Sequence, residues 1–459
     1  MSQTGPALTE SALTERLREL TEKFDVPGAS VAILDDDTTT TTAVGLLNRE
    51  TGVEATTDSL WQIGSITKTY TASLVQRFSE RGELDLDTPI RSYLAEFKVA
   101  DQEASETVTL RHLLTHTSGI DGDHFQDTGR GDDVLEKYVA SCAGLTQQFP
   151  VGATMSYCNA GFGITGRVLE KVTGKVWDQV LRDELLAPLG LERTVTLPEE
   201  VLRFRAACGH MGEPGSLHLT PQWGIPRSSG PAGLINASAE DVLRYAEAFL
   251  DGGKAADGST WLEQGTVAAM LEPQVEVPDP YTLGRHWGLG WILFEYGGRR
   301  VFGHDGGTLG QAAFLRVIPD RRAAVALLTN GGGASDLSQA FLAYVYAELA
   351  DIELPPRPEP VPGASGGDRG RQVGRYVRAA ATTEIEESGE ADLTITVTNT
   401  SDLAKVMDDP TMTFTLHPVK EDVYVGRMPG VEGWLPVVFF DLDGDRFIHY
   451  GARATAKVE

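Results

Sequence analysis

Two groups of strand-like segments, far apart in the chain, constrain the fold of this sequence most. Apolar runs rich in β-branched residues occur at 29–47, where an Asp-rich turn indicates a hairpin. Further strand candidates follow at 287–294, 311–318 and 323–329. Between the two groups, residues 65–250 have a mostly helical pattern that is punctuated by glycine and proline. Helices are predicted at 11–24 and 337–349. The pattern predicts an α+β fold, in which helices flank an antiparallel sheet.

A segment rich in proline and glycine, at 354–372, separates this part from the C-terminal residues. Its composition is typical of a linker. After it, apolar and polar residues alternate over short segments such as 393–398, with turn residues between them. We therefore expect a domain at 1–353 with an all-helical insertion at about 69–250, then the linker, and a small antiparallel β-barrel at 373–459.

Net charge and cysteine content limit the partners and the location of the chain. It has 66 acidic and 39 basic residues and a net charge of −27, which argues against binding to nucleic acid or to an anionic membrane surface. Three cysteines are too few for a disulfide framework. No signal-peptide pattern is present, and no segment reaches the roughly 20 apolar residues that cross a bilayer. We expect a cytoplasmic protein, unless a signal peptide has been removed.

The first motif with catalytic potential is Ser65 followed by Lys68, at the start of a predicted helix. Unpaired backbone N–H groups at a helix N-terminus favour an oxyanion. A spacing of three residues puts the lysine amine one turn away, on the same face as the hydroxyl. If the amine is neutral, it can take the hydroxyl proton. The alternative is a helix N-cap serine followed by a surface lysine.

Two further motifs carry residues suited to proton transfer and substrate binding. In the first, Tyr157 and Asn159 can relay a proton and orient a carbonyl group if the segment lines a cleft. Otherwise the tyrosine packs and the asparagine caps the next helix. In the second, His304 lies in a glycine-rich segment at 303–307, where it can carry a proton or bind a carboxylate. The alternative there is an exposed histidine in a hairpin.

Together and in this order, the three motifs resemble those of the serine β-lactamase and penicillin-binding-protein superfamily. That superfamily carries Ser-x-x-Lys, then Tyr-x-Asn, then Lys- or His-x-Gly. The resemblance covers residues 10–350 and includes the segments 109–119, 230–241 and 286–291. It points to the branch that contains class C β-lactamases, DD-peptidases, D-aminopeptidases, esterases and penicillin-binding-protein-type thioesterases. Residues after 373 resemble the lipocalin-like β-domain of some members, which shapes the mouth of the active site or serves as a stabilising or assembly module.

The resemblance implies a β-lactamase-like fold and a covalent acyl-enzyme. Ser65 would be the nucleophile, and Lys68 and Tyr157 would share the general-base and general-acid steps. The backbone N–H groups of Ser65 and Gly307 would form the oxyanion hole. The enzyme class implied is a serine hydrolase or acyltransferase.

The resemblance also assigns the residues around the substrate. Asn159 would hold the substrate amide, and Asp305 and Gly306 would take part in substrate binding. His304 occupies the place of a lysine in the third motif and would assist proton transfer or bind a carboxylate. Without the permanent charge of that lysine, strong recognition of a β-lactam carboxylate is not expected.

Other candidate motifs fail on their context. The sequence Gly-x-Ser-x-Gly at 363–367 lies in the linker, without the strand and helix of a nucleophile elbow. His112 and His116 have a spacing compatible with a metal, but no third ligand is apparent, and packing is the better interpretation. We therefore expect neither a metal nor a cofactor.

The sequence thus predicts acyl transfer through Ser65. Hydrolysis of a small ester or of a peptide amide, including one with a D-residue, is the favoured reaction. One alternative is a stand-alone peptide cyclase, thioesterase or transacylase, which would take its acyl group from a carrier protein. Another is a non-catalytic binding or sensor module. The expected partner is a small-molecule or peptide acyl substrate, with no nucleic acid and no membrane, and the oligomeric state is left open.

Overall fold

The computed structural model describes residues 8–401, 404, 409–429 and 431–458. The chain forms two compact units that do not follow its linear order. The first contains residues up to Leu84, Thr173–Glu272 and Gly290–Pro355, and the second contains Asp85–Val172, Pro273–Leu289 and Pro356–Glu459. The division at 1–353, 354–372 and 373–459 stays a prediction.

The first unit is built on an antiparallel sheet. In spatial order its strands are Val53–Glu54, Thr38–Asn48, Gly28–Asp35, Ala323–Thr329, Gln311–Ile318, Arg299–Thr308 and Ile292–Tyr296. Strands from the two ends of the unit therefore meet in its centre, where Val31 pairs with Leu327. All residues of Ala323–Thr329 are buried, and the helices Ala239–Leu250 and Ala334–Ala350 both pack on this strand.

Helices and short strands complete the first unit. Glu10–Lys23 and Ala334–Ala350 contact each other, and Ala239–Leu250 packs on the two central strands. The other α-helices are Thr67–Glu80, Trp177–Leu181, Pro198–Val201, Gly230–Gly233 and Gln264–Met270. Shorter helical turns are Gly64–Ile66, Arg182–Leu186, Arg227–Ser229 and Pro319–Arg321. Small sheets are formed by Trp61–Gln62, Thr194–Val195 and Asn236–Ala237, and by His210–Met211 and His218–Leu219.

The second unit combines helices with the C-terminal barrel. Its helices are Ile90–Tyr93, Gln102–Thr107, Leu110–Leu114, Val134–Ser141, Cys142–Gly144, Asn159–Thr173 and Arg369–Gln372, and Val275–Glu276 pairs with His286–Trp287. The barrel strands are Gly374–Arg378, Ala381–Ser388, Asp392–Asn399, Thr411–Lys420, Val423–Gly426, Leu435–Leu442, Asp445–Tyr450 and Arg453–Ala456. Neighbouring barrel strands are antiparallel.

The barrel is nearly closed, and its interior is apolar. The N–H of Val458 donates to the carbonyl oxygen of Arg375 at 2.7 Å, which links the last residues to the first strand. Inward residues such as Tyr376, Ile395 and Phe439 form the core. On the outside, Phe447 packs with Phe149 of the helical part of the same unit.

The predicted fold class is confirmed, with two local corrections. The insertion at about 69–250 is not all-helical, because its segments Thr194–Val195, His210–Met211, His218–Leu219 and Asn236–Ala237 pair as short strands in small sheets. An antiparallel sheet with helices is present, as is an eight-stranded antiparallel barrel. The strand candidate at 287–294 is in fact interrupted, because Gly290 has φ 81° and a Cβ there would lie 2.5 Å from the Cβ of Ala72. In the described part of the chain, no helix is both long and apolar enough to cross a membrane.

Candidate active site

Ser65 lies in the tight turn Gly64–Ile66, here called the serine turn, directly before the helix Thr67–Glu80. Gly64 has φ 51°, a left-handed conformation that favours glycine. The N-caps of the turn and of the helix are Ile63 and Ile66. Ser65 is therefore not the N-cap of either element, and its partly exposed side chain has no capping role there.

Lys68 lies next to the hydroxyl of Ser65. Its Nζ is 3.0 Å from Ser65 Oγ and 2.7 Å from the carbonyl oxygen of Ala232, and the side chain is fully buried. A neutral amine can donate to the carbonyl and accept the hydroxyl hydrogen, whereas an ammonium would donate to both oxygens. The surface-lysine alternative is therefore wrong.

Two glycines bring the strand Arg299–Thr308 against the backbone of the serine turn. A Cβ at Gly306 would lie 1.9 Å from the carbonyl oxygen of Ile63 and 2.9 Å from Ser65 N. A Cβ at Gly64 would lie 2.6 Å from Gly307 N. Only glycine allows this approach, which puts the N–H groups of Ser65 and Gly307 on adjacent stretches of backbone.

His304 is buried on the same strand and is held as a neutral ring. Its Nδ1 lies 2.6 Å from the carbonyl oxygen of Asp305. Since a carbonyl oxygen only accepts, Nδ1 carries the proton and Nε2 is the acceptor nitrogen. Burial, followed by the charge of Lys68, lowers the pKa of His304 to about 3. The imidazole therefore lies within electrostatic reach of the amine but adds no positive charge of its own near neutral pH.

Asp305 points to the opposite face of the sheet from His304, because successive residues of a strand alternate. Its carboxylate accepts two hydrogen bonds from Arg316, one of them at 3.0 Å from Nη2. Burial would lower the pKa of Arg316, but Asp305 outweighs it and raises that pKa above its usual value. The predicted contact between Asp305 and substrate stays a prediction.

Tyr157 belongs to the second unit, where other rings enclose it. Its ring stacks on His116 at a centroid distance of 4.2 Å and meets Trp287 edge-on at 5.8 Å. His116 has φ 57°, and its Nδ1 accepts the N–H of Cys158 at 3.0 Å. This contact fixes the backbone directly after Tyr157. Packing is therefore the right interpretation of His116.

Asn159 is the first residue of the helix Asn159–Thr173, and its amide nitrogen donates to Asp123 at 2.8 Å. Cys158, between Tyr157 and Asn159, is 1% exposed, and burial raises the pKa of its thiol to about 11. At neutral pH the thiol is protonated and unsuited to nucleophilic attack.

In the first unit the structure thus brings together Ser65, Lys68, His304 and the glycines at 64 and 306. Tyr157 and Asn159 lie together in the second unit. The sequence motifs did not indicate which partners hold these residues, namely Ala232, Arg316, His116, Asp123 and Trp287. Three of these partners, Ala232, His116 and Trp287, lie in the segments 230–241, 109–119 and 286–291 that carry the family resemblance. No local pattern marks the ion pairs, because their partners are far apart in the chain.

The chain is similar to known proteins in both sequence and fold. The Beta-lactamase family model matches residues 13–348. Penicillin-binding protein 4 of Amycolatopsis lactamdurans is 44% identical over 355 residues, which cover 76% of this chain and 93% of that protein. The crystal structure of SurE is 27% identical with a TM-score of 0.75, covering 98% of this chain and 99% of that one. The octameric penicillin-binding protein homologue from Pyrococcus abyssi is 22% identical with a TM-score of 0.66. It shares the fold over 97% of this chain and 99% of that one.

The chain belongs to the beta-lactamase family. It is a serine hydrolase of the beta-lactamase-like type, and its chemistry is acyl transfer. The SurE and Pyrococcus abyssi structures each match nearly the whole chain, so the similarity in fold extends through the C-terminal barrel.

We expect Gly306→Ala to remove acylation of Ser65. The new Cβ would collide with the carbonyl oxygen of Ile63, and a shift of about 1 Å at a reacting group can cost about 100-fold in rate. The rate of labelling by a fluorophosphonate probe measures the effect. Gly265→Ala, in the helix Gln264–Met270, is the control, because its Cβ meets nothing within 4 Å in the described part of the chain. Unchanged labelling of Gly306→Ala would contradict the close approach.

We expect His304 to make the protein less stable at acid pH. The unfolded imidazole takes up a proton below its ordinary pKa of 6.5, whereas the folded one does so only near 3. The unfolded state therefore binds more protons in this window, and stability falls as pH falls, by at most about 1.4 kcal/mol per pH unit. The measurement is Tm of wild type and of His304→Gln between pH 7.5 and 4. Below pH 6.5 the Tm of the variant should rise relative to that of wild type. A difference in Tm that does not change with pH would contradict the neutral, buried ring.

Proposed function

We propose that this enzyme hydrolyses a small ester or a peptide amide, with preference for an acyl donor that contains a D-residue. The observation that carries the proposal is the buried Lys68 amine, 3.0 Å from the hydroxyl of a partly exposed Ser65. Packing does not explain a buried amine in that position. Such an amine is suited to take the proton of the nucleophile.

The proposed acylation step uses groups of the first unit. Lys68 takes the proton of Ser65 as Oγ attacks the acyl carbon, and the carbonyl oxygen becomes negative. The N–H groups of Ser65 and Gly307 stabilise that oxyanion, at about 3 kcal/mol for each donor. The intermediate collapses to an ester on Ser65, and the leaving group departs with a proton returned by Lys68.

Residues of the second unit are assigned on the family pattern rather than on a distance. We propose that Tyr157 takes part in the proton transfers and that Asn159 holds the substrate amide. In the second half-reaction water attacks the ester and loses a proton to Lys68. The bond to Oγ then breaks, Lys68 returns the proton to Oγ, and the acid and free Ser65 are released.

The preference for D-residues is supported by two relatives. SurE has also been solved with D-Leu, in a structure 28% identical to this chain that covers 98% of it. The D-aminopeptidase of Brucella anthropi is 27% identical over 343 residues. The neutral state of His304 argues against a β-lactam as substrate, because it offers no charge to the carboxylate. A cytoplasmic location and a small-molecule or peptide partner also remain proposals.

Lys68→Ala should lower kcat/KM for a p-nitrophenyl ester by about 10³-fold, since general-base catalysis contributes about 10² to 10⁴. Ser65→Ala, the matched control, should abolish turnover and leave Tm nearly unchanged, because Ser65 caps neither helical element. Wild-type rates in Lys68→Ala would show that Lys68 is not the base. A folded wild-type protein without turnover on a panel of esters and amides would favour a binding module.

The D-preference and the acceptor can be measured together. With D- and L-leucine p-nitroanilide as donors, we expect the D-isomer to react at least about tenfold faster, a difference of about 1.4 kcal/mol. When glycine ethyl ester is added as an amine acceptor, free acid should remain the main product by mass spectrometry. An equal or faster L-isomer contradicts the donor preference. Predominant amide product instead supports the transacylase or cyclase alternative.

A further inference from the structure

A buried ionic cluster inside the second unit joins the barrel to the segment that carries Tyr157 and Asn159. Its centre is Asp123, whose side chain is 6% exposed. Arg453 donates to both carboxylate oxygens, from Nη2 at 2.8 Å and from Nε at 2.9 Å. Arg378 donates to one of the same oxygens, and Asn159 Nδ2 donates to the other.

The charges of the cluster keep Asp123 ionised. Burial alone would raise the pKa of the carboxyl group, but Arg453 and Arg378 outweigh burial and hold that pKa well below its usual value. The carboxylate therefore accepts from Asn159 at every ordinary pH. Because Asn159 donates to this carboxylate, its amide group has a fixed orientation, with the nitrogen towards Asp123 and the oxygen away from it.

Arg453 also contacts Tyr157 directly. Its guanidinium carbon lies 5.0 Å from the centroid of the phenol ring, which is within the range of a cation–π interaction. The backbone of the same barrel hairpin continues the contact: Tyr157 N donates to Ala452 O at 2.9 Å, and Ala454 N donates to Ser156 Oγ at 3.1 Å.

The side chains around the Tyr157 ring thus come from two parts of the unit. His116 and Trp287 belong to the helical part and the short strands, and Arg453 belongs to the barrel. Arg453 is the residue that contacts Tyr157 and, through Asp123, Asn159 as well. Loss of its side chain would remove one direct contact of Tyr157 and one of the two guanidinium groups that hold the carboxylate bonded to Asn159.

We propose that Arg453 is a positioning residue for acyl transfer, which sets the ring of Tyr157 by direct contact and the amide of Asn159 through Asp123. The inference rests on the proposed roles of Tyr157 and Asn159. It also links the barrel to acyl transfer, since the barrel supplies the Arg453 guanidinium group that positions Tyr157 and Asn159.

A double-mutant cycle tests the proposal, with Arg453→Met, Tyr157→Phe and the combined variant in the full-length protein. Arg453→Met leaves Asp123 paired with Arg378 and Asn159, so the protein should fold. We expect this variant to lose about tenfold in kcat for the ester substrate, since small displacements of a reacting group cost at least that much. In the Tyr157→Phe background, the same substitution should cost less than about twofold, because coupled residues are not additive.

Matched variants separate positioning from stability. Arg378→Met removes a second guanidinium from the same carboxylate and should lower Tm about as much, but with a smaller loss in kcat than Arg453→Met. Arg375→Met, an exposed arginine on the first barrel strand, controls for charge and should leave kcat and KM unchanged. Arg453→Lys should restore part of kcat, since it keeps the cation near the ring but not the two-pronged hydrogen bond.

The outcomes distinguish this inference from the proposed function. If Tyr157→Phe lowers kcat and Arg453→Met does not, the positioning role is wrong and acyl transfer through Tyr157 stands. Equal losses from Arg453→Met in both backgrounds, or losses that follow Tm in Arg378→Met and Arg453→Met alike, also overturn the positioning role. If Tyr157→Phe itself is as active as wild type, the assignment of Tyr157 fails and the inference fails with it.

Discussion

The contact between Lys68 and Ser65 is the interaction on which the rest of the account depends. Removing a lysine amine from water costs free energy unless it finds hydrogen-bond partners. The Lys68 amine is fully buried, and its partners are the hydroxyl oxygen of Ser65 and the carbonyl oxygen of Ala232. Three separate stretches of chain are needed for this arrangement: the serine turn, the short helix Gly230–Gly233 and the strand Arg299–Thr308. Glycines at 64 and 306 let the turn and the strand approach at backbone distance. We propose that this buried amine serves the reactivity of Ser65 rather than the stability of the fold.

Charge is distributed differently in the two units. In the first unit, His304 is kept neutral beside Lys68, while the charge of Arg316 is compensated by Asp305 on the other face of the same strand. In the second unit, one carboxylate, Asp123, binds two arginines from the barrel. Breaking such a buried pair is costly, because it leaves an uncompensated charge. This makes the barrel an integral part of its unit, whatever further role it has in substrate recognition.

Much of the fold follows from local patterns in the sequence. The strand predicted at 311–318 has those bounds in the structure, and the helix predicted at 11–24 forms at Glu10–Lys23. The strand Arg299–Thr308 was not predicted, because its glycines resemble a loop and only their close packing against the serine turn explains them. The motif residues were recognisable from spacing and order. Their holding partners were not, since Asp123 and Arg453 are brought together by the fold of the second unit alone.

The most direct test of the central claim is the site of covalent acylation. Wild-type protein is mixed with a p-nitrophenyl ester, quenched early, and examined by intact mass and by peptide mapping. We expect one added acyl group, on the peptide that contains Ser65, together with a burst of p-nitrophenol of about one equivalent. Turnover without an adduct, or an adduct on any other residue, would contradict it.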